Sequence, residues 1–324
     1  MNPWIRTLAR TAITATFALA AMAAQATPWT LTGALATHDP NLYRTSATWW
    51  IFETTANGGI GVKYSADGHA WTQGGAIFSS GLSWWTAYNP SADPAQVWAP
   101  GCGEWNGNGY CYYAVSSFGS RKSAIGLATS AGGIAAGKWV DQGAVITSTA
   151  SSSFNAIDPS ILVTNASGTP YLSYGSFWNG IYVTAVNSST LKPTGSATNI
   201  ARDTTNGIEN SFIVKRALGS TTYYYLFASK GACCQGASST YYIVVGRSTS
   251  ITGPYTDKAG VAMLSGGGTV LASSGTRYKG PGGQSISGSA YIAWHAYDAN
   301  NSGNPVLFMS DLTWTSDGWP NALW

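Results

Sequence analysis

Three carboxylates stand at matching places in a chain that carries little charge. Asp39, Asp158 and Glu209 each lie ten to fourteen residues ahead of a strand-like aromatic run. Charged residues make up 9% of the chain and Asp plus Glu number 13, so three acids in register are more than composition supplies. Carboxylates brought together in this way suit the hydrolysis of a glycosidic bond. One must be neutral to protonate the leaving oxygen, and another ionised to activate water or attack directly. A third nearby raises the pKa of the first by repulsion and helps to orient it. The same acids could instead ligate a metal, with His295 in the segment WHAYD as a further donor. Asp-Pro is also a common turn dipeptide, so either Asp alone reads as a turn. Glu209, expected in the third equivalent slot, makes the set a site.

A repeat must position these acids. The aromatic runs begin at Trp49, Tyr110, Tyr171, Tyr223 and Tyr291, with gaps of 61, 61, 52 and 68 residues. Ahead of them stand Asp39-Pro40, Ala99-Pro100, Asp158-Pro159, Glu209 and Gly280-Pro281. A period near 60 over this length means about five copies of one supersecondary unit. Short β-branched and aromatic runs alternate with Gly, Asn, Asp and Ser clusters, and no long stretch keeps a 3.6-residue period. The chain is therefore expected to be all-β. Four strands per copy, repeated radially around a channel, make a five-bladed β-propeller. A sandwich or jelly roll does not predict equal spacing through the whole chain. Equivalent residues of successive blades then form a ring at one end of the channel.

Residues 1–26 read as a secretory leader. Arg6 and Arg10 precede the apolar stretch from Thr11 to Ala23, and Ala24-Gln25-Ala26 is a small-residue cleavage site. Residues 27–324 are expected to form the single propeller domain, exported from the cell. A membrane anchor is the other reading of the leader, but the stretch is short for a bilayer. The chain has 16 basic residues; setting aside the two leader arginines leaves 14 against 13 acids. No basic stripe is present to meet a nucleic-acid backbone, and no membrane partner is implied. With 15 Trp and 18 Tyr, some rings are expected on the surface, where their faces suit sugar C–H groups. The four cysteines suit an oxidising compartment. Cys102 and Cys111 flank GEWNGNGY, whose Asn-Gly steps are hairpin signals, so they are expected to face each other. Cys233 and Cys234 are adjacent and could close a vicinal ring.

The segments THDPNLY (37–43), GLSWW (81–85), VWAP (97–100), SSFGSRKSAIGLATS (116–130), NAIDPSIL (155–162), YGSFWNGI (174–181), IENSFIVKR (208–216), CCQGASSTYYIVVGRSTSITGPY (233–255) and WHAYDANNSGNP (294–305) together resemble family 43 glycoside hydrolases, and its arabinanases in particular. The resemblance covers nearly the whole chain after the leader. It implies a five-bladed propeller that cleaves α-1,5-linked arabinan of plant cell walls with inversion. It implies Asp39 as general base, Glu209 as general acid and Asp158 as pKa modulator. It also implies that His295 reaches a calcium ion in the channel, largely through water. Trp85, Trp98, Phe118 and Trp178 are candidate sugar-stacking rings, and Asn155 and Ser176 candidate hydrogen-bonding groups. His38 is expected on the opposite strand face from Asp39, and neither it nor His69 is given a role. A monomer is expected.

Three segments depart from the family pattern: Gly101-Cys102 after Trp98-Ala99-Pro100, Asn210-Ser211 after Glu209, and Ser229-Lys230-Gly231-Ala232. They are expected near the cleft mouth, where they bear on endo or exo cleavage. Alternatives are an exo-acting arabinofuranosidase or β-xylosidase, and a non-catalytic sugar-binding propeller. The second has no use for three converging acids.

Overall fold

The computed structural model describes residues 26–54, 59–90 and 96–324. Within them lie five sheets, each built from strands consecutive in sequence, with one parallel edge pairing. The first strands of the five blades are His38–Arg44, Trp98–Trp105, Val163–Thr164, Ile208–Leu218 and Tyr278–Ser287. They lie innermost, and residues at or just ahead of them surround one axial cavity of about 20 Å³, room for a single water. The aromatic runs that betray the repeat form the second strands, Trp49–Thr54, Asn108–Val115, Pro170–Tyr174, Thr221–Lys230 and Tyr291–Asp298. These strands are rich in rings because both of their faces are covered.

Buried apolar side chains fall into five clusters, one at each seam between blades. Phe52, Trp85 and Tyr113 fill the first seam, and Tyr112, Leu127 and Leu172 the second. Val183, Ile213 and Leu226 fill the third. Phe227, Ile286 and Trp294 fill the fourth, while Leu42, Ile51 and Met309 fill the fifth. Each fully buried side chain of this size contributes about 1.5–3 kcal/mol relative to an exposed one.

The ring closes by sharing a segment. The last blade has three strands of its own. Its outer strand, Asn304–Asp311, is extended by the chain ahead of the first blade: Leu307 N–H donates to Leu35 O at 2.8 Å and Trp29 N–H to Met309 O at 2.7 Å. An otherwise open edge is thereby paired.

The hairpin between Trp105 and Asn108 turns on Asn106 and Gly107, both left-handed (φ 49° and 76°), as a two-residue primed turn requires. Cys102 and Cys111 sit opposite each other beyond it and are bonded, and Cys233–Cys234 form the second disulfide. No helix among the described residues is long and apolar enough to cross a membrane. The leader, apart from Ala26, lies outside them.

Candidate active site

Each blade contributes one left-handed residue to a ring around the axis: Asp39 (φ 47°), Ala99 (39°), Asp158 (53°), Asn210 (49°) and Gly283 (61°). The innermost ladders slip register at these points, between His38 and Asn41, Trp98 and Gly101, Glu209 and Phe212, and Gly282 and Ser285. In the third blade Gly175 N–H to Ile157 O and Ser160 N–H to Ser173 O bracket the same step. Such bulges bend a strand and re-aim its side chains.

This ring corrects the alignment drawn from sequence. Asp39 and Asp158 are equivalent, but Glu209 stands one residue earlier, in the slot of His38, Trp98, Ile157 and Gly282. The fifth equivalent is Gly283, not Gly280. The bulge also overturns the expectation for His38. Alternation of faces fails at a left-handed residue, so His38 and Asp39 converge: His38 Nδ1 lies 2.8 Å from Asp39 Oδ2.

Asp39 sits among donors. Thr54 Oγ1 donates to Oδ2 at 2.8 Å and itself accepts Ala99 N–H at 2.8 Å, joining two blades. Burial alone would raise the Asp39 pKa, but His38, His295 and Thr54 bring it down to about 2. The carboxylate is ionised across the working range. Burial disfavours a charged His38, but Asp39 in contact with it, and Glu209 and Glu53 further off, hold its pKa above the usual value. Lys63, paired with buried Glu53, donates to Ala36 O at 2.7 Å and Thr37 Oγ1 at 3.0 Å, anchoring the backbone just ahead of this pair.

Glu209 and Asp158 have the opposite surroundings. Burial, with Asp39 adding repulsion, lifts Glu209 to about 7 against the opposing effects of a hydrogen bond from Ser176 Oγ and the nearby His38. Asp158 is pushed well above its ordinary value by burial, then by Glu209 and Asp39; its Oδ2 accepts Asn210 N–H at 3.1 Å. Two adjacent buried carboxyls resist carrying two charges. The pair therefore keeps a proton available while Asp39 has none.

Sequence spacing puts His295 on an innermost strand, but it lies on the second strand of the last blade, paired with Gly282. It reaches the axis because the strand in front has no side chains there. A Cβ on Gly283 would lie 2.6 Å from His295 Nδ1 and 2.9 Å from Asp39 Oδ1. Nδ1 accepts Asp39 N–H at 3.1 Å, and burial, with His38 nearby, drives the His295 pKa well below its usual value. The neutral ring then carries its proton on Nε2, which is buried without a partner among the described residues. His38, Asp39 and His295 place ligand atoms within 4.8 Å of one another. Calcium prefers oxygen, and Nε2 in this tautomer is a donor, so the set fits calcium only through intervening water.

The sugar-contact candidates separate. Trp85 is 0% exposed within the first seam and has no face to offer a sugar, which overturns its expected stacking role. Asn155 is also buried, its Oδ1 accepting from Ser123 Oγ at 2.6 Å, so it braces the second blade against the third. Ser176 is buried on Glu209 and holds the acid. Trp98, partly exposed, occupies the slot of His38 and Glu209. Trp178 is 39% exposed beneath Arg121 (5.3 Å), and with Phe177 lines a cavity of about 350 Å³ running to Gly207. Phe118, 83% exposed, is on the same loop as Arg121. Of the departures from the family pattern, Gly101, Cys102, Ser211, Ser229 and Lys230 are buried, whereas Asn210, Gly231 and Ala232 are partly exposed. Gly101, Asn210 and Ser211 line the axial cavity, and Lys230 pairs with Asp203 at 3.0 Å with both side chains buried. A Cβ on Gly101 would lie 2.3 Å from Ser160 O, which excludes a larger residue.

Sequence reading missed His38, Thr54, Tyr297 and Gly283. Only the proline of the His-Asp-Pro run signalled a break in the strand there, because proline inside a sheet is confined to edges, strand starts and bulges.

A closed propeller that presents one ionised and one protonated carboxyl in the same ring has the equipment of a glycosidase. Residues 32–320 match the model of glycosyl hydrolases family 43, and the chain belongs to that family. It is 46% identical over 286 residues to an extracellular endo-α-(1→5)-L-arabinanase of Bacillus subtilis, covering 88% of this chain and 87% of the relative. It is 36% identical to an extracellular exo-α-(1→5)-L-arabinofuranosidase of Cellvibrio japonicus, covering 87% and 85%. A solved family 43 endo-arabinanase from Bacillus licheniformis superposes with a TM-score of 0.85 at 46% identity, covering 90% and 99% of the two chains.

Proposed function

We propose that this chain is a secreted hydrolase that cleaves α-1,5-L-arabinofuranosidic bonds within arabinan, by inversion in a single displacement. Asp39 takes the proton from the attacking water and Glu209 gives one to the leaving oxygen. Asp158, raised by the same burial, keeps a second negative charge from collecting beside Glu209. The carrying observation is the contrast in surroundings: Asp39 meets His38 Nδ1 and Thr54 Oγ1 at 2.8 Å each, which keeps it ionised, whereas Glu209 is buried with one hydroxyl, Ser176, on it and is lifted to about 7. Endo action is supported by the 46% identical endo-acting relative. The exo reading is favoured by the 36% identical Cellvibrio relative and by a 35% identical solved exo-1,5-α-L-arabinanase from a bovine ruminal metagenomic library, which superposes with a TM-score of 0.80. All three carboxyls come from one chain, which supports action as a monomer, and the extracellular relatives support export.

Calcium on the channel axis, expected from the resemblance, would supply fixed waters and positive charge beside the acids, with His295 facing it through water. A time course on debranched arabinan tests the function. A ladder of oligomers is expected; one small product from the start points to exo action, and no products at all overturn the assignment.

A further inference from the structure

The vicinal disulfide lies beside the catalytic base, although neither cysteine touches a carboxylate. Cys234 Sγ is 3.8 Å from His38 Nε2. Cys234 N–H donates to Tyr297 Oη at 2.8 Å, Tyr297 Oη lies 2.7 Å from His38 Nε2, and His38 Nδ1 lies 2.8 Å from Asp39 Oδ2. These contacts run unbroken from the disulfide to the base. His38 is also stacked on His295, ring centroids 4.0 Å apart, so it is clamped on its face as well as at both nitrogens.

We propose that the Cys233–Cys234 ring, Tyr297 and His38 form a positioning chain that holds the Asp39 carboxylate, and that a thiol reductant opening the ring slows catalysis without unfolding the propeller. The proposal rests on Asp39 being the base. The ring fixes the peptide between the two cysteines and with it the left-handed backbone of Cys234 (φ 65°), a conformation that non-glycine residues seldom hold unaided. The rest of the loop has its own bonds: Ala232 N–H donates to Thr240 Oγ1 and Thr240 N–H to Ala232 O at its base, and Gln235 N–H donates to Ser239 Oγ at 3.0 Å across its tip. Opening the ring therefore frees the donor to Tyr297 while leaving the loop attached.

Access is selective. Cys234 is exposed and Cys233 partly so, whereas Cys102 and Cys111 are fully buried. A dithiol attacks one sulfur of the exposed pair and its second thiol resolves the mixed disulfide. The dithiol becomes a cyclic disulfide, and the two cysteine sulfurs together take up two electrons and two protons.

The test is steady-state kinetics of the full chain on debranched arabinan, before and after dithiothreitol, with thermal melting as the control for folding. Reduction is expected to lower kcat about tenfold, the scale of a small misplacement of a catalytic group, with KM within twofold, the melting transition kept and activity restored on reoxidation. Tyr297→Phe, which breaks the chain at its middle with the disulfide intact, should show the same loss and no further loss on reduction. Unchanged kcat overturns the proposal, as does loss only together with unfolding, or an equal further loss in Tyr297→Phe. If Asp39→Asn keeps activity, the base assignment itself has failed; if it is inactive but reduction is silent, only the positioning chain has.

Discussion

The two sides of one ring treat the same functional group in opposite ways. Around Asp39 the protein gathers His38, His295 and Thr54, and the carboxylate is ionised. Around Glu209 and Asp158 it gathers burial and repulsion, from Asp39 on both and from Glu209 on Asp158, offset chiefly by one hydroxyl and one backbone N–H, and a proton stays. Asp39 and Glu209 sit one slot apart in equivalent bulges of equivalent strands, so the scaffold does not decide their roles. Their immediate surroundings do: His38 and Thr54 at Asp39, burial at Glu209.

The largest effect should come from removing either group. Asp39→Asn and Glu209→Gln are each expected to lower kcat on arabinan by about 10²–10⁴-fold while the propeller stays folded, Asp39→Asn also giving up the stability that its ionised carboxylate contributes. Steady-state rates with a melting curve check this.

Next is the glycine that gives Asp39 its neighbours. Gly283→Ala puts a Cβ against His295 and Asp39 at a φ of 61°. Activity should fall about tenfold or more through displacement of the base, and the melting temperature should drop as well. Wild-type values for both would show that the two sides do not depend on this close packing.

The pH profile should carry both sides at once. Glu209 works protonated, so kcat/KM falls as pH rises through about 7; Asp39 works ionised, so its limb lies near 2. Ser176 donates to the ionised Glu209, so Ser176→Ala should move the alkaline limb upward by a fraction of a unit to about one unit. The sign for stability follows the Asp39 pKa. Depressed in the fold, it adds stability above the unfolded value near 4 that is lost as pH falls towards 2. An alkaline limb that stays put in Ser176→Ala would show that another group sets it.

Chelation should have the smallest effect. Because His295 would meet the proposed calcium only through water, thorough chelation is expected to lower activity and melting temperature modestly, with calcium restoring both. Unaltered values in chelator would remove the cation from the account.

Much of this was legible in the sequence, and for a physical reason. Seam-filling aromatics must recur with each blade, so the runs from Trp49 to Tyr291 gave away the repeat, and the rarity of acids made Asp39, Asp158 and Glu209 conspicuous. What stayed hidden depends on backbone torsion. The bulge moves Glu209 out of the slot of Asp39 and turns His38 towards the base, and neither follows from two-residue alternation. Nor does His295 at the axis, which needs the missing side chains of Gly282 and Gly283. Trp85 shows the converse: a tryptophan in a family-like segment can be pure core.

The contrast between the two sides is tested most directly with an activated aryl arabinofuranoside, whose leaving group departs without a proton. Glu209→Gln should recover much of its rate on that substrate relative to arabinan, because the lost acid is no longer needed, while Asp39→Asn stays inactive. Equal recovery of both variants, or recovery of Asp39→Asn alone, would contradict the assignment of acid and base.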